Sequence, residues 1–351
     1  MATTESYTDY WTSEIYDDDY ESDGCNQTNA IKFGATFTPL FFSTVMIFSL
    51  FGNILVLVIL FKYENLKSLT NTFILNLAVS DLFFTSGLPF WAYYHHVSEW
   101  KFGEPLCVIV NFIFYVGFYS SGFLLILMTI HRYVAVMSPL SDIVSASGLS
   151  SIIATVFIWV ASILAGSPVF FFIKVKKSET SDHCVFDSSI GNLWGTYQQN
   201  ILFVMTSAVF GFCYFQILCR LLLPPAQRRR NKTVKLIFTL MIVFFVGWGP
   251  YNLVIFLKSL PLESQHTLNS SLMSELCKTK TDLNYAFYIS RLLAFSHCCL
   301  NPVFYVFMGV KFKTHLKKML RSCGHNNSSN IRSRQSRLTI TSQMSGEEFS
   351  M

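Results

Sequence analysis

The chain alternates long apolar stretches with short polar ones. Seven stretches stand out over windows of about 19 residues, and they cover residues 38–62, 72–96, 106–137, 149–173, 196–222, 233–258 and 283–308. Each holds at least the roughly 20 residues, at about 1.5 Å apiece, that an α-helix needs to cross a hydrocarbon core of about 30 Å. The pattern therefore predicts seven transmembrane helices.

Two other architectures fit this pattern poorly. A transmembrane β-barrel would show alternating segments of about ten residues, whereas these stretches are apolar on every side. A soluble protein of this length could not hide seven such helices from water. Charged residues make up only 13% of the chain, against about a quarter in soluble domains. The predicted fold class is an all-α membrane protein, a seven-transmembrane helix bundle.

Charge is distributed unequally between the two sides of the predicted membrane. Seventeen of the 26 Lys and Arg residues fall on one side, and 16 of the 21 acidic residues fall on the other. Because loops rich in Lys and Arg stay in the cytoplasm, the amino terminus is expected outside and the carboxyl terminus inside. The acidic first thirty residues do not resemble a cleavable signal peptide, so the first span is expected to act as its own insertion signal.

Four cysteines lie on the predicted outer side, which is an oxidising compartment. They are Cys25, Cys107, Cys184 and Cys277. Four cysteines allow three pairings, and proximity to helix ends favours Cys107 with Cys184 and Cys25 with Cys277. Each bond would stabilise the fold by about 2–4 kcal/mol on the loop-closure model. No cysteine or histidine spacing is typical of a zinc site, so no metal is assigned to cysteine.

A charged pair, His131-Arg132, ends the apolar third span. Arg132 lies about 37 Å along a helix from Cys107, which places it at the inner membrane surface. Such an arginine could be a simple snorkelling anchor, but other motifs accompany it. They are Gly52-Asn53, Leu77–Asp81, Trp159, Trp248-Gly249-Pro250 and Asn301–Tyr305. Together these motifs resemble the rhodopsin-like G-protein-coupled receptors over nearly the whole chain.

Within that class, the chain is similar to the chemokine receptors. The resemblance rests on residues 63–71, 100–103 and 294–302, and on the acidic, tyrosine-bearing amino-terminal tail. His131 and Arg291 replace the usual Asp and Glu, and with residues 248–252 they are similar to the XC-type (lymphotactin) branch. The resemblance implies a plasma-membrane receptor for a basic C-class chemokine, coupled to an inhibitory-type heterotrimeric G protein and cell migration. It implies neither an enzyme nor a nucleic-acid partner.

The resemblance also implies which residues bind the ligand. A docking tail holds Tyr7, Tyr10, Tyr16, Tyr20, Asp17, Asp18 and Asp19, and a helical pocket holds Trp91, Tyr94, Phe114, Tyr251, Tyr288 and Arg291. A merely solvating tail is the alternative for the first set. For Arg291, the alternative is a structural salt bridge with Asp282 or Glu275.

Coupling and switching roles follow from the resemblance in the same way. The residues are His131, Arg132, Tyr133, Tyr214, Trp248, Pro250, Asn301, Pro302 and Tyr305. Since a mostly neutral histidine cannot pair with Arg132 as a carboxylate would, the inactive state is expected to be held mainly by packing. A scavenging receptor without G-protein coupling, or a receptor for another peptide, remains an alternative.

Asp81 is the one acid in mid-span, where it costs about 2.5–3.5 kcal/mol on insertion scales. It should therefore face the bundle interior, with Ser121, Asn301, Asn53 and His297 as candidate partners. The resemblance implies an allosteric sodium ion on Asp81, Ser121 and Asn301. An ordinary interior network with water is the alternative, and no other cofactor is expected.

The chain divides into four predicted regions: the outer tail at 1–36, the helical domain at 37–308, an amphipathic juxtamembrane helix at 309–323 and a cytoplasmic tail at 324–351. Asn26 and Asn269 are outer glycosylation sequons, and Cys323 is a candidate palmitoylation site beside the lipid bilayer. The last region, rich in Ser and Thr, suits receptor kinases and arrestin.

A retinal protein is excluded because no lysine lies between Asp282 and Phe307. The chain also lacks the several intramembrane charges typical of a transporter. It has no nucleophile with a base at helical spacing, which an intramembrane enzyme would need.

Overall fold

The computed structural model describes residues 28–66, 68–138, 149–178, 181–221, 231–260, 270–308, 313–319 and 321. The chain forms two compact units, Met1–Phe304 and Tyr305–Met351. The first unit carries the helical bundle. The second contains a helix at 313–319, on which Lys313, Lys317 and Lys318 are exposed. A helix after the last span is thereby confirmed.

The bundle consists of seven spans. In chain order they are Thr28–Tyr63, Leu69–Val97, Gly103–Met137, Leu149–Gly166, Ser189–Leu221, Asn231–Ser259 and a seventh made of two helices, Ser270–Phe295 and His297–Met308. The first six contain segments long and apolar enough to cross a membrane, among the described residues. With the broken seventh span they confirm the predicted seven-helix bundle.

The first span shows how the bundle is turned toward lipid. Leu40 and Phe51 expose 69% and 71% of their surface, whereas Ser49 and Asn53 expose none. A water-soluble helix would place these residues the other way round. Apolar side chains on the outside and polar side chains within are the arrangement that a hydrocarbon solvent favours.

Two helices begin ten or more residues earlier than the apolar pattern predicts. The first span begins at Thr28 rather than near residue 38, and its early turns are held by packing, since the ring of Phe33 lies 5.6 Å from that of Tyr285. The seventh begins at Ser270 rather than near residue 283, and its first turns carry acidic and basic side chains. Hydropathy marks only the part of a helix that meets hydrocarbon, so these polar outer turns escape it.

A β-hairpin follows the fourth span and was missed in the sequence. We call the end of the bundle that carries it the outer end, after the predicted orientation, and the opposite end the inner end. The helix ends at Gly166, well before the predicted residue 173. After the short helix Val169–Phe172, strand β1 (Ile173–Lys177) pairs antiparallel with β2 (Asp182–Phe186). Hydropathy counted the apolar residues around this turn as membrane span. The better signal was Pro168, which lacks an amide hydrogen and begins the short helix.

A disulfide fastens this hairpin to the bundle. Cys184 of β2 is bonded to Cys107 near the outer end of the third span, with Cα atoms 5.7 Å apart. The backbone N–H of Trp100 also donates to the carbonyl of Asp182 at 2.7 Å. The predicted Cys107–Cys184 bond is confirmed. Cys277 is disulfide-bonded too, while its predicted partner Cys25 lies outside the described residues.

Candidate functional site

A cavity of about 360 Å³ lies between the outer ends of the spans and the β-hairpin. Its walls are mostly aromatic and aliphatic, with a few polar groups among them, which is typical of ligand sites. The lining residues are Phe42, Trp91, Tyr94, His95, Asn111, Phe114, Tyr115, Ile173, Cys184, Val185, Phe186, Ser189, Asn192, Leu193, Gly195, Thr196, Gln199, Tyr251, Ile255, Lys258, Ser259, Phe287, Arg291 and Phe295. We call this space the outer cavity.

Most of the predicted pocket residues meet in the outer cavity. Trp91, Tyr94, Phe114, Tyr251 and Arg291 all line it. Tyr288 does not line it. Its ring packs against the first span at Gly34, where the approach is so close that a side chain at that position would collide with it. Tyr288 therefore packs between helices beside the cavity wall. The prediction that it lines the cavity is corrected accordingly.

Arg291 is the most unusual group of the outer cavity. It is 8% exposed, and its Nη2 donates to Nε2 of His95 at 2.6 Å. Its guanidinium carbon lies 5.1 Å from the ring centre of Phe287 and 5.7 Å from that of Phe42. Among the described residues, Arg291 forms no salt bridge with Asp282 or Glu275, which was the alternative considered. Its hydrogen-bond partner there is His95.

The charged side chains in the described lining of the outer cavity are all basic. Besides Arg291, its lining holds Lys258, whose Nζ lies 4.4 Å from the ring centre of Phe287. No aspartate or glutamate belongs to the described lining. His95 and Lys258 were both missed by sequence reasoning. The pair His95-His96 at the end of the second span was the available signal, but nothing in the sequence indicated which histidine turns inward.

A polar network surrounds Asp81 in the inner half of the bundle. The carboxylate is fully buried. Its Oδ2 accepts a hydrogen bond from Nδ2 of Asn301 at 2.8 Å, and its Oδ1 lies 3.5 Å from the hydroxyl of Ser121 and 3.8 Å from Nε2 of His297. Three of the four predicted partners are therefore in place.

Asn53, the fourth predicted partner of Asp81, instead fastens the first span to the seventh. Its amide donates to the carbonyl of Cys298 at 2.8 Å and to that of Ser49 at 2.9 Å. The hydroxyl of Ser49 in turn lies 2.6 Å from that of Thr85. The bond to Cys298 satisfies a carbonyl near the break in the seventh span, where the helical ladder is interrupted.

The donor set around Asp81 can be compared with the needs of a sodium ion. Hard cations take oxygen ligands, and Asp81 and Ser121 supply them. Asn301 turns its N–H group toward Asp81, so rotation of its amide would be needed to present oxygen. The residues fit the ion after that one rotation. Sodium binding stays a prediction.

Trp248 lies between the outer cavity and the polar network around Asp81. Its ring centre lies 5.1 Å from that of His297 and 5.9 Å from that of Tyr251, which lines the outer cavity. Pro250 lies two residues further along the same helix, and Pro302 follows Asn301 in the last helix. Each proline removes a backbone hydrogen bond and permits a bend. A change in the outer cavity thus has a contact path to Asp81.

Arg132 lies at the inner end of the third span. Its Nη2 donates to the hydroxyl of Thr70 at 3.1 Å, and Tyr214 is buried in the fifth span. His131 places its ring edge on Phe73, and the ring of Tyr133 lies 5.8 Å from that of Phe212. Within the described part of the chain, no carboxylate pairs with Arg132.

Several predicted site residues lie outside the described residues. They are Tyr7, Tyr10, Tyr16, Tyr20, Asp17, Asp18, Asp19, Asn26, Asn269 and Cys323. The side chain of Tyr305 is also outside the description. The roles predicted for all of them stay predictions.

Seven spans around a cavity at one end of the bundle, with Arg132 at the other end, place the chain in the seven-helix class of membrane proteins. Residues 52–305 match the family model described as the seven transmembrane receptor (rhodopsin family). The chain is also 43% identical to Chemokine XC receptor 1 of Homo sapiens over 303 residues, which is 86% of each chain. It is 42% identical to Chemokine XC receptor 1 of Mus musculus over 295 residues, covering 84% of this chain and 86% of the relative. The protein belongs to the rhodopsin family of G-protein-coupled receptors and, within it, to the chemokine receptors.

Proposed function

We propose that the protein is a receptor for a C-class, lymphotactin-type chemokine and signals through an inhibitory-type G protein. The relatives named Chemokine XC receptor 1 support the ligand class. The observation that carries the signalling role is the contact path from the outer cavity through Tyr251, Trp248 and His297 to Asp81. Arg132, at the inner end of the third span, is the group offered to the G protein.

The ligand engages the receptor in two places under this proposal. The acidic tail of residues 1–36, with the amino terminus outside the plasma membrane, attracts the basic chemokine body. The flexible amino terminus of the chemokine then enters the outer cavity, whose volume and aromatic walls suit a short peptide segment. Receptor kinases and arrestin act on the cytoplasmic tail. Palmitoylated Cys323 holds the segment before that tail at the bilayer.

Ligand binding shifts an equilibrium between two packings of the spans. A peptide in the outer cavity contacts Tyr251, which packs on Trp248. Movement of Trp248 bends the sixth span at Pro250 and loosens His297 from Asp81. The inner helix ends then separate, and Arg132 exchanges Thr70 for the G protein and Tyr214.

The restraint on Arg132 is weak, since Thr70 supplies one neutral hydrogen bond and His131 cannot supply the charge-assisted pair that a carboxylate would give. We therefore expect elevated basal activity. Replacing His131 by Asp adds a charge-assisted pair and should lower basal cyclic AMP suppression, with His131→Asn as the neutral control. Unchanged or raised basal activity in His131→Asp, relative to His131→Asn, would contradict this restraint.

A sodium ion on Asp81, Ser121 and Asn301 would stabilise the resting packing. Replacing choline by sodium at constant ionic strength should then reduce chemokine-stimulated G-protein activation in membranes. The reduction should vanish in Asp81→Asn. An equal sodium response in both proteins would instead leave the interior network as the role of Asp81.

The function is tested by adding a lymphotactin-type chemokine to cells and reading chemokine binding, cyclic AMP suppression and arrestin recruitment together. Wild type should bind and suppress, and Arg132→Ala should bind without suppressing. A scavenging receptor is the second candidate, favoured by the missing carboxylate beside Arg132. It would show binding and uptake, with no suppression in wild type, and absence of binding would remove the chemokine proposal.

A further inference from the structure

Arg291 is a buried cation with no buried counter-charge beside it among the described residues. It is 8% exposed and lines the outer cavity, whose described lining contains Lys258 as a second cation and no acid. A charge taken out of water needs pairing and hydrogen bonds, because desolvation is unfavourable by several kcal/mol per ion. The partner that the chain supplies, the ring nitrogen of His95, is not an anion. The requirement for a negative group is left unmet by the described residues.

Hydrogen-bond donors of Arg291 are left over as well. Arginine carries five N–H donors in a planar fork. One is used on His95, and Nε is buried with no hydrogen-bond partner. Buried donors without partners are rare in folded proteins, and each one invites an explanation. Here the explanation is a ligand atom, since the guanidinium borders an empty volume of about 360 Å³ rather than packed core.

The surroundings of Arg291 fix its orientation. Both cations lie near the aromatic ring of Phe287, with the guanidinium carbon of Arg291 at 5.1 Å and Nζ of Lys258 at 4.4 Å from its centre. His95 anchors Nη2 from the side of the second span. A guanidinium held in this way has lost little freedom still to be lost on binding, which favours bidentate recognition of a planar anion.

From these observations we infer that the outer cavity is an anion site, in which Arg291 receives a carboxylate from the amino-terminal segment of the peptide ligand. This rests on the proposed function and deepens it. Lys258 adds charge attraction, and His95 is a positioning residue. The terminal ammonium of the ligand is repelled from Arg291 and lies elsewhere in the cavity. An acidic side chain near the ligand's amino terminus therefore determines recognition.

The direct test is a double-mutant cycle between receptor and ligand. A lymphotactin-type chemokine is prepared with each acidic residue before its first cysteine replaced singly by the corresponding amide. Equilibrium binding to the full-length receptor is measured for wild type and Arg291→Gln. One ligand acid should lose about 10- to 100-fold in affinity on wild type, as expected for a charge-assisted bond, and should lose nothing further on Arg291→Gln.

Matched receptor variants separate the site from general charge effects. Lys278 is exposed on the same helix as Arg291 and does not line the cavity, so Lys278→Gln should leave affinity unchanged. Arg291→Lys keeps the charge but not the fork and should recover part of the loss. A folding defect in Arg291→Gln would lower the number of binding sites for every ligand alike and leave the affinity of the folded receptors unchanged, so measuring both the number of sites and the affinity separates it from the predicted pattern.

A second measurement needs no chemokine. The melting temperature of the purified receptor is compared in sodium glutamate and sodium chloride at equal concentration, for wild type and Arg291→Gln. Because excluded solutes stabilise any folded protein to some degree, glutamate should raise the melting temperature of wild type more than that of Arg291→Gln. If wild type fails to bind the chemokine, the proposed function has failed and this measurement alone decides the anion site. Additive losses in the cycle, or equal glutamate effects in both proteins, would overturn the inference.

Discussion

The outer and inner halves of the bundle treat buried charge in opposite ways. In the outer half, Arg291 borders a cavity of about 360 Å³ whose described lining contains no acid. In the inner half, Asp81 is enclosed by hydrogen-bonding groups from Asn301 and Ser121, next to a space of only about 20 Å³. The chain supplies hydrogen-bonding partners to Asp81, whereas it leaves donors of Arg291 available at the cavity. This difference separates an interior polar network from a site that faces a ligand cavity.

Packing explains why one half is closed and the other open. In the inner half, Gly117 lets the third span approach the second so closely that its carbonyl accepts from Ser80 at 2.8 Å. In the outer half, the β-hairpin is inserted between the helix ends and is fastened there by the Cys107–Cys184 bond. The hairpin holds the helix ends around the cavity.

The largest effect is expected from removing that disulfide. In the Cys107→Ala/Cys184→Ala double variant, stability should fall by about 2–4 kcal/mol and chemokine binding should be lost, because the hairpin is released from the third span. Surface expression and ligand binding measure this. Cys299→Ala removes a free thiol and is the control. Retained binding at wild-type affinity would show that the cavity does not depend on the disulfide that fastens the β-hairpin.

A smaller loss is expected where the inner half is most tightly packed. A Cβ at Gly117 would lie 2.8 Å from the backbone nitrogen of Phe84, which cannot move aside cheaply, whereas at Gly211 nothing lies within 4 Å. Gly117→Ala should therefore lower stability by about 1–3 kcal/mol, and Gly211→Ala should be neutral or stabilising. Thermal unfolding of purified receptor compares them. Equal effects would mean that the second and third spans are not in close contact.

Much of this comparison could be predicted from the sequence, and part could not. The seven spans, the disulfide and the burial of Asp81 follow from hydropathy, compartment and the price of a charge in lipid. The pairing of Arg291 with His95 does not, since it depends on how two distant helices are rotated against each other. The same reason explains Tyr288, whose place was decided by the absence of a side chain at Gly34. The hairpin was concealed because its first residues are as apolar as a span.

At the inner rim, a modest gain in basal activity is expected from Thr70→Val. The substitution keeps the shape of the side chain but removes the acceptor of Arg132, a bond of about 0.5–1.5 kcal/mol, so basal signalling should rise by up to about tenfold. Thr72→Val is the control, because that hydroxyl donates to the carbonyl of Leu66 and does not reach Arg132. Basal cyclic AMP suppression is the measurement, and equal values for the two variants would refute the restraint.

The smallest effect is expected at the exposed edge of the hairpin. A hydrogen bond from Lys174 to Asp187, together with the negative charge of Asp187, raises the pKa of Lys174. A raised pKa of a cation means that the contribution to stability is present at neutral pH and is lost as pH rises through that pKa. Hydrogen exchange in the hairpin should therefore accelerate beyond the intrinsic pH dependence only in strongly alkaline solution. In Asp187→Asn this change should begin at lower pH, and identical profiles would exclude the ion pair.

The most direct test measures chemokine binding and cyclic AMP suppression in the same cells for wild type, Arg291→Gln and Arg132→Ala, with a lymphotactin-type chemokine. Arg291→Gln should lose affinity and should signal normally once ligand concentration compensates. Arg132→Ala should bind as wild type and fail to suppress cyclic AMP at any concentration. If wild type does not bind, or if both variants fail at the same step, the division between an outer recognition site and an inner coupling site is contradicted.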